Sequence, residues 1–252
     1  MMRGRYSGGK WLDSFHADQR EPYITEGTPR QYSLYVPHDI PGLIKLMGGK
    51  KTFENVLDSL FMKNEYWHGN ELGHQIPFLY NYTASPWKTQ QQVQKILIEE
   101  YSDGPGGLSG NDDAGQMSAW YVFAALGFYP ANPVSNEYLL CSPIFDRVKI
   151  KLQNRKSFEM VINRPSADAM FIKKLLCDGR PYSKNSITYK NIIEGSKIEI
   201  CLTGNPTGAD RFADFFFWSY VHNIICNILG IVPGMTCCIK NSEIFILFIQ
   251  GI

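Results

Sequence analysis

The sequence predicts a mixed α and β protein in which a run of helices is followed by a small antiparallel β unit. Between residues 37 and 127 the apolar residues recur at helical spacing, whereas after Pro130 they alternate with period two. Helices and strands are therefore consecutive, unlike the alternating order of a doubly wound fold. With 44% hydrophobic and 19% charged residues, 252 residues are enough to bury a sizeable core.

The helical part begins with a loop, residues 1–30, that is rich in turn-forming residues. Helical spacing then marks five segments, each bounded by a proline, a glycine or a capping residue. In chain order they are Pro37–Met47, a helix capped by Thr52, Ile76–Tyr82, a helix opened by Ser85 and Pro86, and a helix from Asp112 to Gly127. In the fourth segment, Gln90 to Gln92 are expected to be exposed.

The β unit is predicted from two alternating runs, Val148–Leu152 and much of Ile187–Leu202. Between two apolar runs, Asp178 and Gly179 indicate a tight turn. The chain is thus divided into residues 1–133, residues 134–206 and an apolar tail, residues 207–252.

The tail contains a segment, residues 212–232, that is about as long as a membrane span. His222, Asn223 and Asn227 interrupt it, and polar groups are costly in the middle of a bilayer. Two interpretations of the tail stay open. It is either a membrane anchor or an apolar segment that has no proper partner for its surface. The first ten residues lack the apolar stretch of a signal peptide and are expected to be an interior loop of a longer protein.

Charge and cysteine content exclude several classes of function. The net charge of +1 argues against a nucleic-acid-binding protein. The six cysteines form no C-x-x-C pair, so a zinc knuckle or a thioredoxin-like site is not expected. Aromatic residues make up 13% of the chain, which suits sugar contacts as well as core packing.

Acidic and amide side chains occur in three loops between the predicted helices. Asp112 and Asp113 precede the last helix, where a carboxylate can cap the helix or, kept ionised there, act as a general base. Asn70 and Glu71 offer hard oxygen ligands that suit calcium, although on these two residues alone a polar loop or another helix start is the better explanation. Glu26 supplies a distant acidic position, and two such carboxyl groups suit hydrolysis of a glycosidic bond.

Three strings in this chain resemble glycoside hydrolase family 92, the calcium-dependent exo-acting α-mannosidases. They are VPHDIPGLIKLMGG (36–49), LYNYTASPWKTQ (79–90) and GNDDAGQMSAWYVFAALGFYP (110–130). Residues 177–200 also resemble the family's C-terminal β region. The resemblance implies that residues 1–133 are the last part of an (α/α)6 barrel. It also implies removal of terminal α-linked mannose, with inversion, from mannose-containing glycans.

The resemblance assigns roles residue by residue. It implies Glu26 as the catalytic acid and Asp113, with Asp112 beside it, as the base. The calcium ligands it implies are Asn70, Glu71 and Asp113, and the residues expected to contact the sugar are His74, Trp87 and Lys88. In an inverting glycosidase the two carboxyl groups stand about 6.5–9.5 Å apart.

The chain departs from the family pattern in its E-G-N-A-W-Q-Y and G-N-E-P-S-H-H motifs. Arg30 replaces the tryptophan of the first motif, and Gln75 replaces the second histidine of the other. Members of the family are longer, carry an N-terminal β-sandwich, and are secreted or periplasmic. The alternative to an active, monomeric mannosidase is therefore a non-catalytic remnant that at most binds carbohydrate or another chain.

Overall fold

A computed structural model describes residues 3–206, 235–240 and 243–248 of the chain. The predicted membrane-span segment, residues 212–232, lies outside these residues. Within them, no helix combines the length and the apolar character that crossing a bilayer requires.

The helical part is built from short helices, as the apolar spacing predicts. Its α-helices are α1 (Pro29–Ser33), α2 (Ile40–Leu46), α3 (Lys50–Met62), α4 (Trp87–Glu99) and α5 (Gln116–Leu126), and its 3-10 helices are η1 (Glu71–Gly73) and η2 (Ile76–Tyr82). The helix predicted over Ile76–Tyr82 is thus a 3-10 helix. The helix expected to be capped by Thr52 begins at Lys50, because Gly48 and Gly49 both take positive φ and end the preceding turn.

Two further expectations about the helices are wrong for reasons of tertiary structure. Gln90 is buried rather than exposed, because α4 packs on the β unit and Oε1 of Gln90 accepts a hydrogen bond from the Ile172 amide at 2.8 Å. The last helix starts at Gln116 rather than near Asp112. Asp113, Ala114 and Gly115 have φ of 45°, 59° and 88°, which interrupts a right-handed helix.

The β unit contains two sheets. Its strands are β1 (Phe128–Tyr129), β2 (Glu137–Leu140), β3 (Arg147–Lys151), β4 (Ser157–Asn163), β5 (Phe171–Cys177), β6 (Arg180–Pro181), β7 (Ser186–Thr188), β8 (Lys197–Thr203), β9 (Met235–Lys240) and β10 (Glu243–Phe248). One sheet has the order β1-β2-β7 and the other β6-β5-β8-β4-β3-β10-β9. Because β4 pairs in parallel with β8, and β3 with β10, the unit is mixed rather than wholly antiparallel.

The alternating run over Ile187–Leu202 is two strands separated by a helix, α6 (Tyr189–Glu194). Thr188 and Asn191 form a capping box that starts this helix, and Gly195, with φ of 77°, ends it. The tight turn at Asp178 and Gly179 is confirmed, since both residues have positive φ and Cys177 pairs with Arg180 across it.

One core cluster of buried residues extends from the helices into the β unit. It includes Phe78, Trp120, Phe128, Phe158 and Ile198, and each of them is no more than 1% exposed. A second cluster lies among α2, α3 and η2. The division at residue 133 therefore crosses a shared core, and the three-part domain division stays a prediction.

Candidate active site

Gly69 and Gly110 allow two loops of the candidate site to contact each other through their backbones. A Cβ added to Gly110 would lie 2.2 Å from the carbonyl oxygen of Gly69, and one added to Gly69 would lie 2.7 Å from that of Ser109. Any larger residue would force the two loops apart. This contact places Asn70 and Glu71, which follow Gly69, beside the loop that leads to Asp113.

Glu26, Glu71 and Asp113 form a carboxylate cluster. The Glu71 carboxyl lies within hydrogen-bonding reach of Asp113, and its pKa responds to the charge of Glu26. Burial is the largest cause that raises the pKa of Glu71, followed by the contact with Asp113 and the two negative charges. Nδ2 of Asn70 donates a hydrogen bond of 2.5 Å to Oε2 of Glu26. The structure thus brings together residues from three separate loops.

Asp112 and Asp113 make different contacts just before α5. Oδ1 of Asp112 accepts a hydrogen bond of 2.9 Å from the Ser118 amide, which satisfies a free donor in the first turn of α5. Asp113 lies against Glu71 instead. Left-handed backbone at a non-glycine residue carries a strain cost, as is common at functional sites.

Two buried histidines connect this cluster to the core. Nδ1 of His68 lies 2.7 Å from the Tyr66 hydroxyl, and Nε2 lies 2.7 Å from the Tyr101 hydroxyl. Because Tyr101 donates its own proton to the Met117 carbonyl, it accepts from Nε2–H of His68, and Nδ1 accepts from Tyr66. Burial, and then the charge of His74, lowers the pKa of His68 well below its usual value.

His74 links the loop of Glu71 to helix α5. Its Nε2–H donates to the His68 carbonyl at 3.1 Å, and its Nδ1 accepts from Nε2 of Gln116 at 3.3 Å. Its carbonyl accepts from Nε1 of Trp120 at 2.8 Å. Burial lowers the pKa of His74 to about 4, so the ring is neutral at pH 7. Both ring nitrogens of this predicted sugar-contacting residue are therefore bonded within the protein.

Trp87 and Lys88, also predicted to contact the sugar, lie in the first turn of α4. Nζ of Lys88 donates to Glu54 at 2.8 Å and to Asp58 at 2.7 Å. The Trp87 ring packs edge-on against Phe171 at 6.4 Å. These hydrogen bonds and ring contacts join α4 to α3 and to β5, and none of them reaches the carboxylate cluster.

Arg30, which replaces the family's tryptophan, is held by ion pairs. It bonds to Asp18, and its Nε lies 2.9 Å from Oε2 of Glu65. Thr28 and Gln31 form a capping box at α1, and Gln31 also donates to the Glu65 carbonyl at 2.9 Å. The altered motif therefore builds a local hydrogen-bonded structure immediately after Glu26. Sequence reasoning missed the role of Gln116, because no local signal distinguishes it from a first-turn helix residue.

Few side chains of the carboxylate cluster are available to bind a cation. In the part of the chain that the structure describes, no group of three or more His, Cys, Asp and Glu side chains has the arrangement of a metal site. However, Oε1 of Glu71 is buried there without a hydrogen-bond partner. A carboxylate oxygen in this state, beside other carboxylates, fits a hard cation that also takes amide and carbonyl oxygens or water.

Comparison with known proteins gives consistent matches. An uncharacterized secreted glycosidase of Arthroderma benhamiae is 32% identical over 192 residues, which is 75% of this chain and 24% of that protein. The family GH92 alpha-mannosidase BT3965 of Bacteroides thetaiotaomicron, also solved with mannoimidazole, is 40% identical with a TM-score of 0.75. That match covers 81% of this chain and 28% of the other.

The GH92 inverting mannosidase BT2199 of the same bacterium is 31% identical, with a TM-score of 0.75 over 81% of this chain and 31% of its own. The chain thus spans about a quarter of the curated relative and under a third of these structures. Residues 1–204 match the glycosyl hydrolase family 92 catalytic domain. The mixed fold, the order of the motifs and these matches agree, and the chain belongs to glycosyl hydrolase family 92.

Proposed function

We propose that this chain carries the catalytic carboxyl groups of an α-mannosidase that removes terminal α-linked mannose with inversion and with the help of calcium. The observation that supports the proposal best is the convergence of Glu26, Glu71 and Asp113 from three loops. Paired acidic groups on either side of a sugar are what glycoside hydrolysis requires. Mannose-containing glycans are the substrate class, since similar enzymes are named mannosidases.

Glu26 is the general acid in this proposal. It gives its proton to the glycosidic oxygen as the bond to the anomeric carbon breaks, and Asn70 orients its carboxyl through the hydrogen bond to Oε2. Asp113 is the general base. It takes a proton from a water molecule whose oxygen bonds to the anomeric carbon from the opposite face. The products are a free alcohol and mannose of inverted configuration.

Calcium would be held by Asn70, Glu71 and Asp113. The unpartnered Oε1 of Glu71 and the raised pKa of its carboxyl both favour a cation at this position. When bound, such an ion supplies positive charge and coordination sites for sugar hydroxyls. Asp112 supports the arrangement from outside by capping α5.

The helices of residues 1–133 are proposed to be the last part of an (α/α)6 barrel, with residues 134–206 as its closing β unit. In this architecture the loops at one end of the helices would surround the mannose. His74, Trp87 and Lys88 stay predictions as sugar contacts. The bonds of His74 within the protein favour a positioning role for it instead.

The test is an assay of mannose release from α-linked mannobiose by the full chain, with calcium and with a chelator. We expect calcium-dependent release that Asp113→Asn abolishes and that Glu26→Gln reduces by at least about a hundredfold. Asp13→Asn, on an exposed surface residue, is the matched control and should leave the rate unchanged. Release that survives Asp113→Asn would contradict the assignment of the base.

A second candidate is a carbohydrate-binding fragment without catalysis. It is favoured by Arg30, which stands where the family motif has a tryptophan and is held by ion pairs to Asp18 and Glu65. Mannoside binding without any release, at high protein concentration and saturating calcium, would support this candidate over the enzyme.

A further inference from the structure

A polar cavity, lined by none of the residues of the carboxylate cluster, lies where helix α4 meets the β unit. Its volume is about 250 Å³, which suits one small ring rather than an extended chain. Its walls come from both parts of the fold, and all the residues that line it are uncharged. Those used below are Asn81, Trp87, Gln90 and Asn185.

Gln90 presents a hydrogen-bond donor at this cavity. Its side chain is only 5% exposed, and Oε1 accepts from the Ile172 amide at 2.8 Å, which fixes the orientation of the amide group. Among the described residues, Nε2 of Gln90 has no hydrogen-bond partner. The atom is not fully enclosed and reaches solvent at the cavity, so it can donate to water or to a ligand there.

Asn81 and Asn185 present acceptors at the same cavity. Nδ2 of Asn81 is within hydrogen-bonding distance of the carbonyls of Phe78 and Leu140, at 3.2 and 3.1 Å. Nδ2 of Asn185 donates to the Asn81 carbonyl at 3.4 Å. Since both nitrogen atoms are used within the protein, the carboxamide oxygens of both residues are left to accept from a ligand.

The electrostatic surroundings favour a neutral ligand. The nearby cation, Nζ of Lys88, lies 5.6 Å from the centre of the Trp87 ring but is paired with Glu54 and Asp58. Trp87, half-buried beside the amides, adds an apolar aromatic surface. Hydroxyl groups both donate and accept, and a pyranose ring has an apolar face, so one sugar ring matches this set of groups.

We propose that Asn81, Trp87, Gln90 and Asn185 form a binding site for a single neutral sugar ring, separate from the carboxylate cluster. The site does not depend on the proposed catalytic roles. It would let the chain hold a second residue of a glycan, or a free monosaccharide, at the junction of the two parts of the fold.

The test uses the full chain with Glu26→Gln and Asp113→Asn, so that sugar binding at the carboxylate cluster is weakened. Methyl α-D-mannopyranoside, titrated to about 50 mM, should show saturation transfer in NMR with a dissociation constant in the millimolar range. Adding Gln90→Glu should weaken this binding at least about tenfold. That variant keeps Oε1 for Ile172 but replaces the donor with a charged acceptor.

Trp87→Phe should weaken binding several-fold, whereas Trp11→Phe, on an exposed tryptophan, should not change it. Circular dichroism of each variant checks the fold. The proposal is overturned if the chain with Glu26→Gln and Asp113→Asn shows no transfer, or if Gln90→Glu binds as the parent does. Because this test measures sugar binding and not mannose release, its outcome is independent of whether the unsubstituted chain is an enzyme.

Discussion

At the scale of single residues, Glu71 is a residue of the candidate site whose ionisation the surroundings make unfavourable. Its carboxyl is partly buried, lies against Asp113 and feels the charge of Glu26, so ionising it is unfavourable. Asn70 and Glu71 are recognisable in the sequence as oxygen ligands. The contact between Glu71 and Asp113 cannot be predicted from the sequence, because it depends on the close approach of two loops that are far apart in the chain. Functional sites commonly give up stability in this way.

Glu71→Gln should stabilise the chain in the presence of a chelator. A carboxyl whose folded pKa is raised contributes its full stability below its unfolded pKa and loses it as the pH rises through the folded value. Glutamine does not ionise and so avoids that loss. We therefore expect the free energy of unfolding to rise by about 1 kcal/mol at pH 7.5 and to be unchanged near pH 4. Urea unfolding at both pH values measures it. Glu194→Gln, on the exposed face of α6, should change stability by less than about 0.5 kcal/mol.

Calcium provides the complementary measurement on the same variant. If Glu71 is a ligand, calcium should stabilise the unsubstituted chain more than the Glu71→Gln chain, because ligand binding to the folded state adds to its stability. Thermal unfolding with increasing calcium compares the two. Equal stabilisation of both chains would show that Glu71 does not hold the ion.

At the scale of elements, the site depends on how α5 and η1 begin. The sequence predicts a helix after Asp112, but its start is displaced by three consecutive left-handed residues, Asp113 to Gly115. Aspartate adopts this backbone more readily than most residues, but alanine does not, so tertiary contacts have to offset the cost at Ala114. The buried position of Gln90 has a similar origin. By contrast, the segments with clear apolar spacing and a terminal glycine or proline were predictable within a few residues.

The contact between Gly69 and Gly110 can be tested directly. Gly110→Ala would place a methyl group 2.2 Å from the Gly69 carbonyl oxygen, and backbone cannot move aside cheaply. We expect a loss of about 1–3 kcal/mol in the free energy of unfolding, together with loss of any calcium-dependent stabilisation. Gly106→Ala, in the same loop but with open space around it, is the matched control and should cost less than about 1 kcal/mol. Similar losses for both variants would show that the close approach of Gly69 and Gly110 is not the cause.

The link that His74 makes between η1 and α5 predicts a pH dependence. A histidine with a lowered folded pKa destabilises the fold on acidification, because the unfolded chain binds the proton first. Stability from His74 should be complete above pH 6.5 and fall by about 3 kcal/mol as the pH approaches 4. His74→Gln retains hydrogen-bonding groups without titrating, so its unfolding free energy should decline less over this range. An equal decline in both chains would contradict the buried neutral state of His74.

At the scale of the whole molecule, the order of helices and strands could be predicted, but not how the two parts join. Apolar periodicity shows which face of each element is buried, not which element covers it. The parallel pairing of β4 with β8 and the insertion of α6 are such long-range features. The helices and the β unit share a core, and β1, which follows α5 directly, pairs with β2. The two parts are therefore expected to depend on each other for stability.

This dependence predicts one cooperative unfolding transition for the helices and the β unit together. Phe158 is fully buried in β4 and packs edge-on against Phe128 at 6.3 Å. Phe158→Ala should lower the free energy of unfolding by about 3–5 kcal/mol. Hydrogen exchange should then accelerate by the same factor for amides in α5 and in β8, because both open in the same event. Val134→Ala, on a residue that is 80% exposed at the junction, serves as the control with little expected change. If only the β-unit amides exchange faster, residues 1–133 and 134–206 are separate folding units after all.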